Sequence, residues 1–145
     1  MKRAAWALLA LAASPDRELT RVQLQKALFL FGKGLRRARS GEYYRFRPYH
    51  YGPFDPLVYT DLEAFNNAGL VEQIPSSEYS GSGYRITDAG LREAKRTALE
   101  VGDHNVQYVS DVVDWLKPLT FSELVSAIYE QFPDFKKNSI FRSAP

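Results

Sequence analysis

Apolar positions along the chain recur mostly at helical spacing, with one aromatic stretch that alternates instead. Ala4 to Ala13 is an unbroken helix-favouring run that Ser14-Pro15-Asp16 ends. Thr20 and Gln23 have the spacing of a capping box for a second helix. In that helix Leu24, Ala27, Leu28, Phe31 and Leu35 form one apolar stripe, with Phe29 and Leu30 beside it. Lys26, Lys33 and Arg37 are expected on the opposite side. From Tyr43 to Tyr51 aromatic and basic residues alternate, which predicts a short strand that Gly52-Pro53 breaks. Asp55 and Pro56 start a third helix, Val58, Leu62 and Phe65 make its inner stripe, and Gly69 stops it. Asp61 and Glu63 are expected on its outer face.

Two strands are predicted at Leu70 to Ile74 and Gly83 to Ile86, around a tip rich in serine and glycine. Thr87 caps a fourth helix reaching about Val101. Val106, Val109, Val113 and Leu116 give a fifth that ends before Pro118. A second capping box, Thr120 with Glu123, opens a sixth over Phe121 to Phe132. The expected fold is α+β, mainly α: one winged-helix-like domain over 1–145, with a core at 4–100 and a C-terminal helical extension at 103–141. Trp6, Tyr108, Trp115 and Phe121 are expected in the core or between the terminal helices.

The 145 residues carry a net charge of +2, but it is unevenly spread. Residues 1–50 hold eleven Lys/Arg and three Asp/Glu, a balance of +8, and residues 51–145 hold eight and fourteen, a balance of −6. Such a split suits a polyanionic partner for one half, or two complementary faces that meet in an assembly. A homodimer through the C-terminal helices, with the acidic half of one copy meeting the basic half of another, is the alternative to packing within one chain. The basic start before Ala4 mimics a leader, yet the run reads better as a core helix. It is also too short to cross a bilayer, which takes about 20 residues, so no membrane partner is expected. The chain has no cysteine, which excludes disulfides, thiolate zinc sites and a thiol nucleophile. That fits a cytoplasmic protein.

Candidate chemistry is sparse. His50 and His104 are far apart, which makes poor metal-site material. No phosphate loop, dinucleotide fingerprint or Ser-His-Asp spacing is present. No cofactor, no metal and no catalytic residue are expected. Arg45-x4-His50 has the spacing of the Arg/His motif of HEPN ribonucleases, a minor alternative, since that motif belongs to a helical hairpin and Pro48 lies inside this one.

Two short motifs carry a family resemblance. Leu24-Gln25-Lys26 on a helix, with Tyr51-Gly52-Pro53 after an aromatic strand and Pro56-Leu57-Val58-Tyr59 behind it, resembles the Panacea domain of SocA-type antitoxins. The same residues, with Glu123 to Tyr129, Pro133 and Asn138-Ser139-Ile140, resemble a group of small winged-helix proteins typified by YwgA. Where Panacea proteins usually place a tryptophan and a basic residue, this chain has Pro48-Tyr49-His50. The resemblance implies a non-catalytic role in toxin neutralisation, phage defence or regulation, with a toxin or defence effector as partner. Tyr49, His50, Tyr51 and Phe54 are the residues expected to grip it, because exposed aromatics are frequent interface anchors. The alternative is a DNA-binding regulator using Lys26, Lys33, Arg36, Arg37, Arg39, Arg45 and Arg47, interleaved with Tyr43, Tyr44 and Phe46. Against ordinary recognition-helix docking, no Lys or Arg occurs from Asp55 to Glu72.

Overall fold

The computed structural model describes residues 2–35, 42–75 and 82–141, and among them six helices and two small antiparallel sheets form. In chain order the elements are α1 (Ala4–Ala12), β1 (Leu19–Thr20), α2 (Arg21–Gly34), β2 (Arg47–Tyr49), β3 (Gly52–Phe54), α3 (Leu57–Asn67), β4 (Val71–Pro75), β5 (Ser82–Ile86), α4 (Asp88–Val101), α5 (Asp103–Leu116) and α6 (Phe121–Gln131). A 3-10 turn, Pro133–Lys136, follows. The fold is α+β and mainly α. Among the described residues no helix is long and apolar enough to cross a membrane.

Local chemistry sets most of the boundaries. The Thr20 hydroxyl accepts from the Gln23 N–H at 3.1 Å and the Gln23 side chain accepts from the Thr20 N–H at 2.8 Å. Thr120 and Glu123 repeat the arrangement at α6. Each box satisfies donors that a helix start leaves orphaned. At the end of α3 the Leu70 N–H reaches the Phe65 carbonyl and the Gly69 N–H that of Asn66, while Gly69 takes a φ of +78°. This is the Schellman arrangement. It turns the chain directly into β4.

β4 and β5 pair in the register Val71↔Ile86 to Pro75↔Ser82, the ribbon that the alternating positions predict. The tip of that ribbon, 76–81, lies outside the described residues. A third strand was not legible. Leu19 and Thr20 add to the far edge of β5, opposite Tyr84 and Gly83, so the sheet order is β1-β5-β4.

One apolar core runs through the whole arrangement. α1 supplies Trp6 to Leu11, all buried, so the leader-like run is a core helix. Burying a leucine such as Leu8 or Leu11 stabilises by ~1.5–3 kcal/mol. Leu24, Ala27, Leu28, Phe29 and Phe31 of α2 meet them, as do Val58 and Leu62 of α3. Val109, Val113 and Leu116 of α5 and Leu124 and Ile128 of α6 belong to the same cluster. Trp6 is core as expected, and Tyr108 and Phe121 are half-buried. Trp115 departs from expectation: it is 44% exposed, because the buried stripe of α5 runs through Val109, Val113 and Leu116 and leaves Trp115 outside it.

Asp61 also departs from expectation. It faces inward, where the Arg3 guanidinium donates to both its carboxylate oxygens at 3.0 and 3.1 Å and the Tyr44 hydroxyl donates at 2.6 Å. The partner that lets a carboxylate be buried comes from 58 residues earlier in the chain. Glu63 is exposed as expected.

Candidate functional site

The aromatic stretch folds back on itself. β2 pairs with β3 as Arg47↔Phe54, Pro48↔Pro53 and Tyr49↔Gly52. The expected strand from Tyr43 therefore shortens to Arg47–Tyr49, and Gly52-Pro53 does not break it but forms the return strand. The register explains how two prolines are tolerated. Pairs in an antiparallel ribbon alternate between hydrogen-bonded and non-bonded, and Pro48 and Pro53 face each other where no N–H is required. The reversal at His50-Tyr51 uses Gly52 at a φ of +104°. A Cβ there would also press on the Tyr129 ring at 3.2 Å.

The loop residues make a ring column. His50 stacks on Tyr49 at 4.2 Å, Tyr49 on Phe54 at 4.8 Å, and Phe54 meets the edge of Tyr59 at 5.6 Å. Tyr49 thus carries two stacked rings. Tyr51 packs edge-on against Phe121 at 5.0 Å. Tyr49 and Tyr51 are 46% and 40% exposed, His50 is exposed and Phe54 is half-buried.

The two motif strings meet underneath this ribbon. The Gln25 amide donates to the Asp55 carbonyl at 2.9 Å and accepts from the Asp55 N–H at 3.0 Å. The Asp55 carboxylate in turn accepts from the Arg45 N–H at 2.7 Å and from the Leu57 N–H at 2.9 Å. It ties the start of the ribbon to the start of α3, and it is the expected cap. Lys26 reaches the Pro53 carbonyl from below at 3.3 Å. It is 3% exposed, and burial pushes its pKa down from 10.5 to about 7. Among the described residues no carboxylate pairs with it. From above, the C-terminal tail lies alongside β2. Asn138 donates to the Pro48 carbonyl at 3.4 Å, and the Ser139 hydroxyl and the Ile140 N–H donate to the His50 carbonyl at 3.2 and 3.0 Å.

Among the described residues the basic set splits into one buried lysine and exposed cations. Lys26 leaves it altogether, because α2 is buried around most of its girth and a polar carbonyl awaits the amine inside. Lys33 is exposed, but its ammonium already sits over the rings of Phe29, Phe132 and Phe135 at 5.5, 5.7 and 5.9 Å. Arg36, Arg37 and Arg39 lie outside the described residues. Arg45 and Arg47 are exposed, and Arg47 shares a face of β2 with Tyr49. Arg45 precedes the strand and His50 lies in the turn after it, so the pair with ribonuclease-like spacing sits on a β-ribbon and not on a helix. Among the described residues no cluster of acidic and histidine side chains forms a metal cage.

Sequence reasoning missed Gln25 and Lys26 as the clamp and the tail as a strap. The one local signal was a lysine with apolar neighbours at i−2, i+1, i+2 and i+3. No known protein family matches the chain, and no curated protein is detectably similar to it.

Proposed function

We propose that this protein is a non-catalytic binding module of winged-helix type, acting in the cytoplasm through protein contacts as an antitoxin-like or defence-associated regulator. The element order α1-β1-α2-α3-β4-β5 with sheet order β1-β5-β4 supports the winged-helix reading. The observation that carries the binding role is the exposure of Tyr49 and Tyr51 on a ribbon tied down by Gln25, Asp55 and Lys26. Aromatic anchors held rigid before contact lose little entropy on binding. The antitoxin-like role rests on the resemblance of Leu24-Gln25-Lys26 and Tyr51-Gly52-Pro53, which in this fold are bonded neighbours. Trp115 on α5 supports self-association through the C-terminal helices.

Affinity capture from the protein's own cells tests the reading. Wild type should retain a specific protein that the Tyr49→Ala/Tyr51→Ala variant loses while keeping the wild-type circular dichroism. No specific protein, or one retained equally by the variant, contradicts it. A DNA-binding regulator is the second reading, favoured by the adjacent exposure of Arg45 and Arg47. It requires duplex binding that weakens steeply with salt.

A further inference from the structure

We infer that the outer ledge of the β2–β3 ribbon docks an extended acidic segment of a partner protein. This rests on the protein-contact reading above and names the chemistry of the contact. Two segments that the sequence keeps about ninety residues apart form this ledge. Residues 43–54 contain Arg45 and Arg47 and no acidic residue, and residues 135–141 contain Lys136 and Lys137 and no acidic residue. The tail bonds bring them together. Asn138 bonds the Pro48 carbonyl and Ile140 the His50 carbonyl, which holds the turn carrying Lys136 and Lys137 near β2. All four cations are exposed.

The spacing suits a strand-like acidic chain. Arg45 and Arg47 are two residues apart, about 6.6 Å along an extended segment, and both are exposed while Tyr44 is buried and Phe46 half-buried. A partner strand with carboxylates at every second position would meet both, and an arginine fork takes a carboxylate with two bonds. Both ends of the ledge are apolar and open. Leu57, 41% exposed, stands near Arg45, since both bond the Asp55 carboxylate, and Ile140, 55% exposed, stands beside His50. Apolar ends flanking cations match an acidic segment with hydrophobic neighbours.

A single-stranded nucleic acid fits less well. Base stacking needs open ring faces, and Tyr49 already carries His50 and Phe54 stacked on it. The outward side of α3 adds no cation to extend a phosphate track.

Fluorescence anisotropy with three labelled probes tests this: a peptide alternating glutamate and leucine, its glutamine counterpart, and an oligothymidylate. The glutamate peptide should bind, the glutamine peptide should not, and the oligothymidylate should compete poorly. Arg47→Glu/Lys137→Glu should weaken the glutamate peptide about tenfold or more, and Arg45→Glu should weaken it in the same direction. Both variants alter exposed side chains only, and their circular dichroism should match wild type. Absence of glutamate-peptide binding, equal binding of the glutamine peptide, unchanged affinity in the charge-reversed variants, or displacement by oligothymidylate overturns the proposal. If the charge-reversed variants keep a cellular partner that Tyr49→Ala/Tyr51→Ala loses, the acidic-segment proposal fails and the hairpin reading stands.

Discussion

Replacing Lys26 by methionine removes a buried amine and leaves a side chain of similar length and shape. The amine costs stability because burial disfavours its charge, holding the folded-state pKa near 7 against 10.5 in the unfolded chain. The unfolded chain therefore binds the proton more tightly, and lowering the pH through the window from 10.5 to about 7 favours unfolding. Below that window both states carry the proton and the cost levels off. At ~1.4 kcal/mol per pH unit the full cost is on the order of 5 kcal/mol. Against it stands the bond to the Pro53 carbonyl. Losing that bond and leaving the carbonyl unpaired costs about 1–3 kcal/mol. Lys26→Met should thus be more stable than wild type by ~2 kcal/mol at about pH 6, and the two should converge near about pH 9. Urea unfolding followed by the fluorescence of buried Trp6 reads the difference at each pH, and titrations elsewhere in the chain cancel in it. A variant that loses stability at about pH 6, or whose curve runs parallel to wild type across the window, would refute a buried amine with a lowered pKa.

Other substitutions probe the same frame. Gln25→Ala removes both bonds to the Asp55 main chain in a dry site and should cost about 2–4 kcal/mol in urea unfolding. Asp61→Ala strands the Arg3 guanidinium and the Tyr44 hydroxyl. A loss of about 1–3 kcal/mol is expected, below the value for a fully buried pair because Arg3 keeps 24% exposure. Gly90→Ala would drive a Cβ into the Leu70 carbonyl where α4 starts against the end of α3, and should lower thermal stability by about 1–3 kcal/mol. If the C-terminal helices mediate a homodimer, sedimentation should find a dimer for wild type and a monomer for Trp115→Glu. A wild-type monomer contradicts that assembly.

Features written in a few consecutive residues were legible. The two capping boxes, the Thr87 cap, the Gly69 stop and the ribbon at 71–75 and 82–86 all depend on neighbours within a turn or a hairpin. The aromatic loop was legible as exposed for the same reason. What depends on distant partners was not. Lys26 and Asp61 look like surface residues by type, and only the Pro53 carbonyl in one case and Arg3 with Tyr44 in the other make their burial tolerable. β1 is two residues long and is a strand only because β5 lies beside it. Gly52-Pro53 reads as a break because proline usually ends pairing. Its register opposite Pro48, where no N–H is needed, reverses that reading. The tail is polar and carries no periodicity, so nothing local announces that it runs along β2.

The central claim is that the Tyr49–Tyr51 edge meets a protein. A photoreactive phenylalanine analogue placed at position 49, and in a control at Leu99, which is 86% exposed on α4, tests it in living cells. Irradiation should join position 49 to one protein species that the Leu99 control does not capture. Adducts to nucleic acid from position 49, or the same pattern of adducts from both positions, would contradict the account.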